Sequence, residues 1–259
     1  MRNVLVSVIT VSFNSIKTIK DTFESILLQN YKNIEYIVID GKSNDGTVEI
    51  IESYKEKFMN KGISFKWVSE EDKGIYDAMN KGIKMAIGEL IGIINSDDWY
   101  EKDIIEKIVN VYDKHNKPDI IHGNLKIYSE RMIYKETRYP KDKYWKLWEG
   151  MIIKHPTCFI KKSLYEKIGL YNTKYKISSD YDFLLRAYIN KARIVYFNNI
   201  ISHMRLGGVS NEFLKDSWVE VERIAIKNGL SKIMAKYYFY KKILIRKIKK
   251  MVKKCALKY

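Results

Sequence analysis

The sequence predicts an α/β protein with a Rossmann-like, mostly parallel sheet flanked by helices, and three observations carry that expectation. A unit of apolar strand, polar turn and amphipathic helix occurs four times between residues 4 and 115, the signature of right-handed βαβ crossovers. The strands are β-branched and aliphatic, as strands covered on both faces must be. Asn14, Asp40, Asp72 and Asp97 each come just after one of these strands. Four turns therefore bring acids or amides to one sheet edge, where open α/β sheets hold their ligands.

The first strand, residues 4–11, runs into Ser12-Phe13-Asn14. Ser15 then caps a helix with Ile16, Ile19, Phe23, Ile26 and Leu27 on one face. The second strand is 34–39, and the turn from Asp40 to Thr47 leads to another helix. The third is 64–68, followed by Ser69 to Gly74 and a helix over 75–86. The fourth, 90–94, ends in Asn95-Ser96-Asp97-Asp98-Trp99. Two adjacent carboxylates repel unless a cation lies between them and their ligand, and oxygen ligands favour Mg2+ or Mn2+. The same pair also suits a solvated helix cap.

After a helix at 100–115 the pattern changes. Residues 120–122 read as a short strand, and 125–128 with 132–135 as an antiparallel hairpin across Ser129-Glu130. Trp145, Trp148, Met151 and Ile152 form a segment suited to core packing. A short helix at 164–168 stops at Gly169, and a longer one opens at Ser178. Asp180 and Asp182 lie two apart at its start and so face different directions, one for capping and one for chemistry. A last strand at 193–197 leads to residues 201–210, where Gly207-Gly208 predicts a tight or mobile loop rather than a phosphate cradle.

The net charge of +16 is local. From Lys227 to Tyr259 there are twelve Lys or Arg and no acid, which leaves 35 basic against 31 acidic residues elsewhere. Two distant cysteines, Cys158 and Cys255, argue for a reducing compartment and against a disulfide framework or zinc site. The uncharged run 4–16 is too short for a membrane span and lacks a leader cleavage pattern, so a cytoplasmic protein is expected. No G-x-G-x-x-G or G-K-[ST] signature is present, which removes dinucleotide and P-loop enzymes. Ser12-Phe13-Asn14-Ser15 is not the Gly-rich loop a nucleotidylyltransferase needs.

Five stretches now read together: Thr10-Val11-Ser12-Phe13-Asn14, Ile39 to Thr47, Asp72 to Gly82, Asn95-Ser96-Asp97-Asp98-Trp99, and Ser179 to Arg186. In order and spacing they resemble the motifs of the family-2 glycosyltransferases of the GT-A fold, over about residues 4–210. The resemblance implies inverting transfer of a sugar from a nucleotide-diphospho-sugar, UDP-linked by preference, to a hydroxyl of a glycan or lipid-linked acceptor in surface polysaccharide synthesis. It implies Asp97 as ligand of Mn2+ or Mg2+ and Asp98 as its neighbour on ribose or sugar. Asp40 and Asp72 would hold the nucleoside, with Thr10, Ser12 and Asn14 beside it, and Lys73 or Lys81 would meet the phosphates. Asp180 would be the general base and Asp182 its structural neighbour. The implied division is 1–215 for the transferase, with 1–99 binding donor and 100–215 acceptor, and 216–259 as a basic helical extension.

Departures from that pattern are Asn95 for the first acid of an Asp-x-Asp triplet, Gly41 for a second acid, Met79 for an Arg and Ser179 for a Glu. His203 falls near a position that ligates metal in some relatives, and a structural role is expected for it and for His155. These departures keep open a second reading, an inactive transferase-like protein that binds membrane or polyanions through its tail. In that tail Ser231 caps a helix to about Lys254, with Leu244, Ile248, Met251 or Val252, and Cys255 at helical spacing. Such a helix suits an anionic cytoplasmic leaflet. It could equally pack its stripe on the main domain. Nucleic acid is disfavoured for lack of a recognition motif.

Overall fold

The computed structural model describes residues 4–140, 142–207 and 214–256. Four strands, β1 (Val6–Ser12), β2 (Ile34–Asp40), β3 (Ser64–Ser69) and β4 (Leu90–Asn95), run parallel in the order β3-β2-β1-β4. All seven residues of β1 and of β2 are buried, including Ser7, Thr10, Ser12, Glu35 and Asp40 among the aliphatic side chains, as a sheet covered on both faces requires. Register aligns their carboxyl ends: Ser12 pairs with Asp40, Asp40 with Ser69, and Val11 with Asn95. The expected polar edge is therefore real, and it is one continuous rim.

The other strands widen the sheet beyond β4. β5 (Trp99–Tyr100), β6 (Ile120–Tyr128), β7 (Tyr134–Arg138), β8 (Phe159–Lys161) and β9 (Ile194–Arg205) complete nine strands, continuing from β4 as β8-β6-β9-β5 with β7 paired to β6. β8 is antiparallel to both β4 and β6, and β9 is parallel to β6. Several expectations change here. Residues 120–122 and 125–128 are one strand, the hairpin partner begins at Tyr134, and the last strand continues to Arg205. Trp99-Tyr100 pairs with Ser202-His203 instead of opening a helix.

Helices cover both faces. On one side lie α1 (Ile19–Leu27), α2 (Thr47–Ser53), α3 (Lys55–Asn60) and α5 (Ile104–Lys114), which bury Ile19, Phe23, Ile26, Ile51, Phe58 and Ile104 against the strands. On the other lie α4 (Ile75–Met85), α6 (Lys162–Ile168), α7 (Ser179–Ile189) and α8 (Leu214–Lys227), with a 3-10 turn at Tyr144–Glu149. α9 (Lys232–Ala256) follows, its first turn bonded to Ser231 as expected. Val221 and Ile224 of α8 belong to the second core, and Ala225 beside them is also buried. Ser15 does not cap α1: the helix starts at Ile19, and Ser15 Oγ meets Ser96 Oγ at 2.7 Å. Trp148 packs on the core, but Trp145 is exposed. Cys158 is a free, buried thiol. Among the described residues no helix is long and apolar enough to cross a membrane. Gly208, Val209 and Ser210 of the expected loop lie outside the described residues.

Candidate active site

The strand rim opens into a cleft of about 700 Å³, the size of a small-molecule site. Its walls include Ser12, Phe13, Asn14 and Lys17 after β1, Asp45 after β2, Asp72 and Ile75 after β3, the Asn95 to Asp98 turn after β4, and Arg205 at the end of β9. Backbone conformation shapes the entrance: Asn14 sits at φ +49°, a left-handed conformation that Asn tolerates. Its N–H donates to Ser43 Oγ at 2.8 Å, and its Oδ1 accepts from Asn44 N–H at 3.1 Å. The two loops are thereby stitched together.

Not every expected residue reaches this cleft. Thr10 is fully buried and its hydroxyl accepts from Tyr36 OH at 2.9 Å. Asp40, also fully buried, accepts four hydrogen bonds: from Ser12 Oγ (2.9 Å), Ser43 N–H (2.8 Å), Ser43 Oγ (2.6 Å) and Ser69 Oγ (2.7 Å). Four donors fill a carboxylate's acceptor sites. Asp40 thus ties three loops rather than facing the opening, and Ser12 is its link to the cleft wall. Lys73 is exposed and outside the lining, its N–H bonded to Asp77 Oδ2 at 3.0 Å. Lys81 pairs with Glu70 at 2.8 Å.

Asp72 does line the cleft. Its Oδ1 accepts from Gly74 N–H at 2.8 Å, while Oδ2 lies 2.6 Å from where a Cβ at residue 41 would stand. The glycine that replaces a second acid in the β2 turn therefore makes room for this carboxylate. Phe13, 65% exposed, borders the same space at 3.3 Å.

The acid pair after β4 is the electrostatic centre. Thr22 Oγ1 on α1 donates to Asp98 O at 2.6 Å and to Asn95 O at 3.3 Å, which fixes the turn. Asp98 is buried and Asp97 half-buried. Burial holds the Asp97 carboxyl above its ordinary range. Burial and then the Asp97 charge push Asp98 well above. Asp98 Oδ1 accepts from Arg205 N–H at 3.1 Å, whereas the Arg205 guanidinium pairs with Asp21 at 2.5 Å and leaves its buried Nε without an acceptor. A crowded pair of desolvated carboxylates is what a divalent cation relieves. Among the described residues no three His, Cys, Asp or Glu form a metal cage. The residues present fit an ion that takes its remaining oxygens from phosphate and water, as Mg2+ does. His203 Nε2 meets Glu101 at 3.2 Å and the ring stacks on Trp99 at 5.2 Å, while its buried Nδ1 has no hydrogen-bond partner among the described residues.

Asp180 and Asp182 separate as expected. Asp182, 2% exposed, pairs with Arg186 at 2.8 Å, and that guanidinium also donates to the carbonyls of Ile168, Gly169 and Leu170. Asp180 does not line the cleft itself. It touches the α4 wall through Tyr76 OH, which donates to its Oδ1 at 3.1 Å between the lining residues Ile75 and Ala78. Tyr181 N–H donates to the same oxygen at 2.8 Å, so Oδ2 accepts from no described protein group. Sequence reasoning missed Tyr76, Asp45, Lys17 and Arg205. The last two are the cations of the lining. It also missed Lys154, a half-buried ammonium whose pKa burial lowers and the Asp180 charge partly restores.

The profile of glycosyl transferase family 2 matches residues 7–169, and the chain belongs to that family. It is 26% identical to a PGL/p-HBAD biosynthesis glycosyltransferase of Mycobacterium bovis, across 81% of this chain and 82% of that one. It is 33% identical to an uncharacterized glycosyltransferase of Mycobacterium tuberculosis, across 70% and 68%. Among solved structures, Staphylococcus aureus TarS 1-349 in complex with UDP-GlcNAc superposes with TM-score 0.68 at 21% identity, covering 91% of this chain and 70% of that one. The mannosyltransferase PcManGT of Pyrobaculum calidifontis, in complex with GDP-Man and Mn2+, gives 0.66 at 19%, covering 92% and 70%. The chain spans 42% of the longer TarS crystallised separately.

Proposed function

We propose that this glycosyltransferase moves a hexose or N-acetylhexosamine, with inversion, from a UDP-sugar to a hydroxyl of a glycan or lipid-linked acceptor in surface polysaccharide synthesis. The observation that carries the reading is the Asp97-Asp98 pair, desolvated and raised above the ordinary carboxyl range despite the nearby Arg205, on a cleft rim shared with Asn14, Asp45 and Asp72. The base lies between Phe13 and Asp72, and the diphosphate lies toward Asp97, Lys17 and Arg205. Asp97 would hold a divalent cation, which would supply charge compensation for the leaving diphosphate.

The chain's own residues do the rest. Asp180 Oδ2 takes the proton of the acceptor hydroxyl as its oxygen bonds to the anomeric carbon. The bond from that carbon to the diphosphate oxygen breaks on the opposite face, and the electron pair leaves with the nucleoside diphosphate. Tyr76 keeps Asp180 Oδ1 occupied, which aims the free oxygen. The protein works on the cytoplasmic side of a membrane, where a lipid-linked acceptor is presented.

Incubation with Mn2+ or Mg2+ and a panel of nucleotide sugars tests this directly. Consumption of a UDP-sugar with release of UDP supports it. If no donor is consumed under any metal, the chain is an inactive relative.

A further inference from the structure

α9 is a helix with two different faces. Its inner face is partnered: Ala235 is 3% exposed, and Tyr238, Phe239 and Lys242 close a small space with Trp148, Trp218 and Val221. Lys241 pairs with Glu149 at 3.2 Å, and Arg246 lies over the Trp218 ring at 5.4 Å. Burial lowers the Lys242 pKa to about 8. The helix is thus fixed to the body of the protein.

The outer face has no such partner. Ile233, Tyr237, Tyr240, Leu244, Ile248 and Met251 are 46–81% exposed, and their spacing of three and four residues places them on one stripe. Lys236 and Lys247, both exposed, flank that stripe on one side. No acid occurs anywhere from residue 227 onward.

We propose that this stripe docks on an anionic phospholipid surface, lying flat with its aliphatic residues among the acyl chains, its tyrosines at headgroup depth and the flanking lysines on lipid phosphates. A second copy is the wrong occupant. Stripe-to-stripe pairing would juxtapose Lys236 and Lys247 of the two copies with no acid on the helix itself to answer them. Free polyanions are also a poor match, because they would leave six apolar side chains in water. The proposal deepens the lipid-linked acceptor reading and rests on it only for its purpose.

Co-sedimentation of the full chain with vesicles tests it. Binding is expected to equimolar phosphatidylcholine and phosphatidylglycerol and not to phosphatidylcholine alone, weakening with salt. Leu244→Glu with Ile248→Glu should lower the partition at least tenfold. Lys236→Gln with Lys247→Gln should lower it by about fivefold per lysine. As a check independent of those variants, Tyr240→Trp should add emission that brominated acyl chains quench. Absence of wild-type binding, equal binding to neutral vesicles, unchanged partition of the Leu244/Ile248 variant, or a stripe-dependent dimer in sedimentation equilibrium would each overturn the proposal. Release of UDP from a UDP-sugar, measured on the same samples, separates the outcomes. Vesicle binding without release removes the transferase reading, and release without vesicle binding removes the docking.

Discussion

Asp40 and Asp180 are carboxylates in one strand-rich chain, yet their hydrogen bonds give them opposite work. Asp40 has every acceptor site filled from within the protein, and Asp180 has both donors on one oxygen. Asp40→Ala should therefore act on stability, costing on the order of 3 kcal/mol in urea unfolding, because hydrogen bonds to a buried charge are among the strong ones. Asp180→Asn should leave the fold and nucleotide affinity nearly unchanged and lower kcat by roughly 10²–10⁴, which single-turnover kinetics with a saturating donor would read. Unchanged turnover would move the base elsewhere. A sequence shows that an acid follows a strand. It does not show whether serines distant in the chain have already claimed it, which is why Asp40 and Asp72 looked alike until Ser12, Ser43 and Ser69 were seen to converge on one of them.

At the scale of elements, the start of α7 is held from α8. Glu220 accepts from three consecutive backbone N–H groups, those of Lys176 (2.8 Å), Ile177 (3.0 Å) and Ser178 (2.8 Å). No side chain of α7's own cap makes that bond. Glu220→Gln removes the charge and a strong acceptor facing donors that prefer an anion, so kcat should fall several-fold while the donor KM holds. A change confined to KM would show that the clamp does not position Asp180. The four parallel strands were legible to within a residue or two because their apolar runs are long and bounded. β5 and β8 were not, since two or three residues carry no period and become strands only by pairing with β9, or with β4 and β6. The helical character of the region after 215 was expected, but the anchoring of α8 to α7 was not, because it joins parts of the chain some forty residues apart.

Across the whole molecule, buried neutral histidines set how stability depends on pH. Burial lowers His122 from 6.5 to about 4, and lowers His155 and His203 in the same direction. The unfolded chain takes up these protons first, so the histidines' contribution to stability is full above pH ~6.5 and is lost as the pH drops toward ~4, whereas the raised Asp97 and Asp98 carboxyls take up protons first in the folded chain and act in the opposite direction. His122 alone accounts for on the order of 3 kcal/mol of that loss. The wild-type urea midpoint should fall relative to that of His122→Gln as the pH drops through this window; a constant difference between the two would contradict the assignment.

The central claim is that Asp97 and its neighbours hold a nucleoside diphosphate together with a divalent cation, and calorimetric titration of UDP with and without Mn2+ tests it most directly. Wild-type protein should bind UDP at least tenfold more tightly with the metal, and Asp97→Ala should lose that enhancement while remaining folded. Equal affinity with and without metal, or an Asp97→Ala variant that keeps the full enhancement, would contradict it.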